Sequence, residues 1–185
     1  MNKKFMVVED FFQNFGQIQN EFKKIKRYEY KEHPDIKPKL EELEKQKMES
    51  SIKYYWPGER SEDLKKTNKF LTALFLKEFD QKFDNFMGSK MGFVLYTHLR
   101  LQKHKASDWP HKDSPDSKYS LLVYLSKTNL TSGTRLYDDV DNVVADIKFV
   151  QNRAVIFDST YTHAAINNHG ENQDDGRLTL NVFWN

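Results

Sequence analysis

From residue 91 onward the chain shows no helical period. Its apolar residues fall into seven short runs rich in Val, Tyr, Phe and Thr: GFVLYTHLRL, YSLLVYLS, GTRLYDD, DIKFV, AVIFD, HAAIN and RLTLNVFW. Runs of this length and composition read as strands, because β-branched and aromatic side chains suit a pleated, half-buried surface. Turn signals separate them, including Ser132-Gly133, Gln151-Asn152 and the polar stretch NNHGENQDDG. Seven strands with no helix between them suggest a compact antiparallel barrel or jelly roll, whose working surface is its interior or mouth.

The first 90 residues have a different character. Charged and apolar residues alternate there at helical spacing, first through Phe11, Phe12, Phe15, Ile18, Phe22 and Ile25, then through Leu64, Phe70, Leu71, Leu74, Phe75 and Phe79. Both stretches read as amphipathic helices. Ser61, followed by Asp63, is the expected cap of the second, and a shorter helix is expected over residues 37–48. The chain of 185 residues suffices for one domain with a real core. The expectation is therefore a single domain over 1–185, α+β but mainly β. Residues 1–90 form a mainly helical part packed outside a β core of residues 91–185.

Composition narrows the chemistry. Lys and Arg total 29 against 27 Asp and Glu, so charge provides no clear nucleic-acid or membrane signal. Cysteine is absent, which excludes disulfides, zinc-thiolate sites and thiol nucleophiles. The start MNKKFMVVEDFF lacks the apolar stretch of a signal peptide, and no segment approaches the roughly 18 apolar residues of a membrane span. A cytoplasmic location is the expectation.

Chemistry concentrates in WPHKDSPDSKYSLLVYLS, residues 109–126, where His111 and Asp113 stand two positions apart just before a strand. On a strand, residues i and i+2 share a face about 6 to 7 Å apart, so both side chains can reach one ion. A third ligand must come from elsewhere. His163 in STYTHAAIN opens a strand 50 positions after Asp113. Two histidines and one carboxylate on one face of an octahedral metal leave adjacent positions open, as suits non-haem Fe(II). In the last strand, Arg177 and Thr179 share a face and could jointly hold a carboxylate inside a barrel. Tyr124 could donate its phenol to the same carboxylate.

The ordered set His111-x-Asp113, Tyr124, SGTRLYDD, NRAVIFDSTYTHAA and RLTLNVFW resembles the Fe(II)- and 2-oxoglutarate-dependent oxygenase superfamily, nearest its prolyl-hydroxylase-like branch. The resemblance covers residues 91–185, and YWPGERS at 55–61 also resembles an upstream segment of some members. It implies a double-stranded β-helix (jelly-roll) core. His111, Asp113 and His163 would ligate Fe(II), and Arg177 would pair with the distal carboxylate of 2-oxoglutarate, assisted by Thr179 and Tyr124. The implied reaction hydroxylates a C–H bond with O2 while 2-oxoglutarate is decarboxylated to succinate and CO2. One departure stands out: the basic residue follows the distal His by fourteen positions, a longer interval than the branch usually shows, and NNHGENQDDG is expected to absorb the difference as a longer hairpin.

Asp113 argues against a halogenase, since the halogenases of this superfamily leave that carboxylate position empty. The branch points to a prolyl or other peptide side chain as substrate, with a small-molecule or sugar-linked substrate as the alternative. A non-catalytic β-helix binding module is the reading from another class. Tyr55, Trp56 and Arg60, with residues 97–110, are the expected lid and substrate contacts, against helix-to-barrel packing. Gln102 could face the cosubstrate from the preceding strand, and Asp116, beyond Pro115, reads as solvent-facing. His33, His98, His104 and His169 have no comparable partner pattern and read as structural or exposed. The tripeptide His33-Pro34-Asp35 after a basic helix resembles the loop of J-domains, but the third helix of that fold is missing. Pro34 more simply ends a helix.

Overall fold

The computed structural model describes residues 5–46, 56, 58–83, 92–98, 110–113 and 116–184. In chain order these form β1 (Phe5–Val8), α1 (Phe15–Phe22), β2 (Tyr28–Glu29), a 3-10 turn (Tyr30–Glu32), α2 (Lys37–Lys45), β3 (Glu59–Arg60), α3 (Leu64–Thr67), α4 (Lys69–Asp80), β4 (Gly92–His98), β5 (Tyr119–Tyr124), β6 (Asn129–Tyr137), β7 (Val143–Phe149), β8 (Ala154–Asp158), β9 (Thr162–Ile166) and β10 (Arg177–Trp184). All seven strands expected after residue 90 are present. They divide between two antiparallel sheets, one ordered β1-β8-β5-β10-β4-β3-β2 and the other β7-β6-β9.

The period of two decides which side chains meet. On the large sheet Phe93, Leu95, Leu121, Val123, Leu178, Leu180 and Val182 point one way, onto Ile18, Phe22, Leu71, Phe75 and Phe79 of α1 and α4. Residues on the other face, Leu122, Tyr124, Val155 and Phe157, look into the jelly roll. There they meet Leu136, Ile147 and Phe149 of the small sheet. Two cores result, a helix-to-sheet core outside and a sheet-to-sheet core within. Fully burying each large apolar side chain contributes about 1.5–3 kcal/mol. The inner face also carries polar groups, and these form the candidate site.

Several local expectations are corrected. α1 begins at Phe15 because Phe11 and Phe12 precede it as extended backbone. The Asn152 side chain accepts from Phe12 N (2.9 Å) and donates to Phe12 O (3.0 Å). The second expected helix is two helices broken at Asn68: Asp63 caps α3 through Lys65 N, and Asn68 caps α4 through Leu71 N. Ser61 is not a cap. Its N–H and Oγ instead bond the backbone of Leu95, extending the sheet edge beyond β3. Ser132-Gly133 is not a turn but lies inside β6 at a register shift against β7, where a Cβ on Gly133 would collide with the Ile147 carbonyl. NNHGENQDDG is no hairpin either, since it crosses from β9 in the small sheet to β10 in the large one. Strands β1, β2 and β3 were not anticipated. Among the described residues no helix is long and apolar enough to cross a membrane.

Candidate metal centre and anion pocket

His163 is the anchor of the site. As the second residue of β9 it pairs with Leu136 of β6 on one side. On the other it bridges to His111, with His111 N donating to His163 O (3.0 Å) and His163 N to His111 O (2.8 Å). His111 thus joins the free edge of the small sheet as a single bridge. Asp113 follows in irregular backbone, so the two converge by this bridge and not by strand periodicity. The ring centroids of His111 and His163 lie 4.4 Å apart, and His163 Nε2 lies 3.8 Å from Asp113 Oδ2. One ligand atom from each of the three residues lies within 4.8 Å of the others.

The surroundings prepare this set for a cation. His163 is 6% exposed and packs against Phe157. Burial lowers its pKa below the usual histidine value despite the opposing charge of Asp113, which favours the neutral imidazole that a metal needs. Its Nδ1 lies 3.3 Å from Tyr161 O, a contact satisfied by the tautomer with Nδ1–H, which leaves the Nε2 lone pair for the centre. Ser120 Oγ donates a short hydrogen bond to Asp113 Oδ2. Its single proton being so committed, Ser159 Oγ donates to Ser120 Oγ (2.9 Å). Two buried hydroxyls therefore orient the carboxylate, while exposed His111 leaves the outer side open.

Deeper in the jelly roll lies Arg177, 3% exposed. One terminal nitrogen donates to Gly133 O (3.2 Å) and Thr134 Oγ1 (3.1 Å), its Nε has no partner, and no carboxylate pairs with it among the described residues. The guanidinium also rests against the Tyr124 and Phe149 rings, 5.7 and 5.4 Å from their centroids. Burial depresses its pKa, as expected for a cation without a counter-ion. Tyr124 is fully buried and donates to Thr134 Oγ1 (2.8 Å), and burial raises its pKa although Arg177 opposes the rise. Thr179 shares the inner face, but its hydroxyl donates to Asn181 Oδ1 (2.8 Å), so the hydroxyl beside Arg177 belongs to Thr134. His169 also approaches this end: its ring stands edge-on to Phe149 at 5.4 Å, its Nδ1 is buried without a partner among the described residues, and burial followed by Arg177 lowers its pKa.

The sequence-derived set thus divides into two clusters: His111, Asp113 and His163 at the edge of the small sheet, and Arg177 with Tyr124 on the inner face of the large one. Thr134, Ser120, Ser159 and His169 were missed. Strand alternation carried a signal for two of them, since Ser120 shares the face of Leu122 and Tyr124, and Thr134 that of Leu136. His33, read as structural or exposed, is buried and lies 3.3 Å through Nε2 from Ser61 O. Asp116 is exposed. Tyr55, residues 99–109 with Gln102 and His104, and the side chain of His98 lie outside the described residues.

No family model and no curated protein matches the chain in sequence. Solved structures do. A prolyl-4-hydroxylase from Pseudomonas putida superposes with a TM-score of 0.52 at 12% identity, covering 99% of this chain and 92% of its own. A prolyl hydroxylase from Trichoplax adhaerens, in complex with a hypoxia inducible factor peptide fragment, gives 0.53 at 12% identity, covering 97% and 82%. The non-haem α-ketoglutarate-dependent epimerase SnoN from nogalamycin biosynthesis gives 0.57 at 11%, covering 99% and 78%. At these identities the likeness is one of fold. The chain folds as the double-stranded β-helix of the prolyl-4-hydroxylases and other 2-oxoglutarate–Fe(II) oxygenases.

Proposed function

We propose that the protein is an Fe(II)- and 2-oxoglutarate-dependent oxygenase that hydroxylates a C–H bond with O2, forming succinate and CO2 from 2-oxoglutarate. One observation carries the reading above the others: a compact His-Asp-His set and a buried guanidinium that no described carboxylate neutralises both border β6. Thr134, bonded to Arg177, and Leu136, paired with His163, stand two residues apart on β6, hence about 7 Å apart along the strand. That interval suits a short dicarboxylate with one end at the metal and the other at Arg177.

His111, Asp113 and His163 would hold Fe(II), and their donor set of two imidazoles and one carboxylate fits that ion. When bound, iron supplies the oxidising chemistry, with 2-oxoglutarate as the co-oxidised partner. The chain's own residues bind and orient. Ser159 and Ser120 hold the Asp113 carboxylate, Tyr161 O fixes the His163 tautomer, and Arg177 with Thr134 and Tyr124 would hold the distal carboxylate. Leu122, Leu136, Phe149 and Phe157 keep water from the cavity. Thr179 lines the same wall. The similar prolyl hydroxylases favour a prolyl or other peptide side chain as substrate, and a small molecule is the alternative.

Titration calorimetry of the Mn(II)-loaded protein with 2-oxoglutarate tests this. The expected result is saturable binding at one site, lost in His163→Ala through the metal and in Arg177→Met through the carboxylate. Folded, metal-loaded wild type that binds no 2-oxoglutarate would overturn the proposal.

A further inference from the structure

Among the described residues, every arginine other than Arg60 meets a carboxylate or a backbone carbonyl. Arg135 pairs with Asp146 and Arg153 with Glu9, while Arg27 bonds the carbonyls of Phe22, Ile25 and Gln173. Arg60 of β3 has no carboxylate among the described residues. Its guanidinium lies over the rings of Trp56 (4.9 Å to the centroid) and Tyr96 (5.5 Å), and it hydrogen-bonds the Tyr96 hydroxyl.

The register places this group on the inner face of the large sheet. Arg60 pairs with Tyr96, Tyr96 with Thr179 and Thr179 with Tyr124, so the four form one row across β3, β4, β10 and β5 on the inner face. Arg177 serves a different point: it lies two strands away and one dipeptide along, roughly 12 Å by strand geometry. The two side chains thus start from different points of the inner face.

The mounting is also built. Trp56 is held edge-on by Tyr30 at 4.7 Å and by buried His33 at 5.2 Å, and His33 in turn packs on Tyr28 at 5.8 Å. Contact with two rings shields the guanidinium from water and leaves its N–H edge as the usable surface. The Trp56 indole Nε1–H beside it is buried and has no acceptor among the described residues. A fixed fork of donors with an unspent indole donor next to it matches a planar oxyanion.

We infer that Arg60, clamped by Trp56 and Tyr96, binds a carboxylate of the primary substrate, so that the enzyme selects small acids bearing a free carboxylate. This rests on the oxygenase reading above. The preference for a peptide is replaced by one for a free acid, and Arg60 is a substrate-binding residue with no part in the oxidation.

The test uses the anaerobic Fe(II)–2-oxoglutarate protein, titrated with L-proline and the aliphatic L-amino acids, each beside its own carboxamide. The readouts are the shift of the visible charge-transfer band on binding, then succinate formed on admitting air. The expected result is that at least one acid shifts the band and stimulates succinate formation, with its amide weaker by about tenfold or more. Arg60→Gln should erase the difference while keeping the band itself, and Arg60→Lys should restore part of it. Acids and amides that act alike, a panel with no active acid, or a difference that survives Arg60→Gln would overturn the inference. Absence of the band from wild type is a separate result that removes the oxygenase reading and this inference with it.

Discussion

Replacing Arg177 with methionine should leave the stability of the ligand-free protein nearly unchanged while abolishing its response to 2-oxoglutarate. The side chain is a cation at 3% exposure whose hydrogen-bond partners are one carbonyl and one hydroxyl, with Nε unsatisfied. Exchanging buried ionic groups for apolar ones of similar volume is often neutral or gains about 1–4 kcal/mol. Against that stand two hydrogen bonds from a charged donor, together about 3 kcal/mol at the lower end of their range. Thr134 retains its bond from Tyr124, which limits the loss. The two nearly offset, so the net change is expected within about 1 kcal/mol, or within about 2–4 °C in Tm for a chain of this size. Adding 2-oxoglutarate at one hundred times its Kd should stabilise Mn(II)-loaded wild type by about 2.7 kcal/mol and leave Arg177→Met unmoved. Differential scanning calorimetry with and without 2-oxoglutarate measures both effects. A ligand-free variant destabilised by about 3–5 kcal/mol would refute the reasoning, because that is the signature of breaking a pair the chain itself supplies.

Ser120→Ala should leave the fold intact and weaken metal binding by about 10–100-fold, since the hydroxyl that orients Asp113 is gone; a chelator competition assay measures it. Thr134→Val removes the hydroxyl shared by Tyr124 and Arg177, leaving two buried donors short of a partner, and should cost about 1–3 kcal/mol in denaturant titration as well as weakening 2-oxoglutarate binding. Burial raises the pKa of Glu59 against the opposing charge of Arg27. The native state then holds more protons than the unfolded one between the ordinary and raised values, so this group's contribution falls as pH rises through that interval. Glu59→Gln should therefore remove this fall, so that stability declines less or rises more with pH through that interval than in wild type, and an unchanged curve would contradict the assignment.

The strand half was legible because its signal is compositional: RLTLNVFW alternates Leu178, Leu180, Val182 outward and Arg177, Thr179 inward, and the structure keeps that alternation. His111, Asp113 and His163 were legible as residue types in order. Their meeting was not, because it rests on one bridge between backbone segments far apart in the chain. Thr134 was hidden by Gly133, which reads as a turn until a close approach to Ile147 is known. Strands β2 and β3 are two residues each and exist only through pairing to β4, so no local pattern announces them. Arg60 follows from that pairing, and its place in the inner row could be assigned only once the edge strands were known.

Anaerobic titration of the metal-free protein with Fe(II) and then 2-oxoglutarate tests the central claim most directly, beside His111→Ala and Arg177→Met. The account predicts a weak visible charge-transfer band in wild type that is absent from both variants at the same concentrations. A folded wild-type protein, saturated with iron and 2-oxoglutarate, that shows no such band would contradict it.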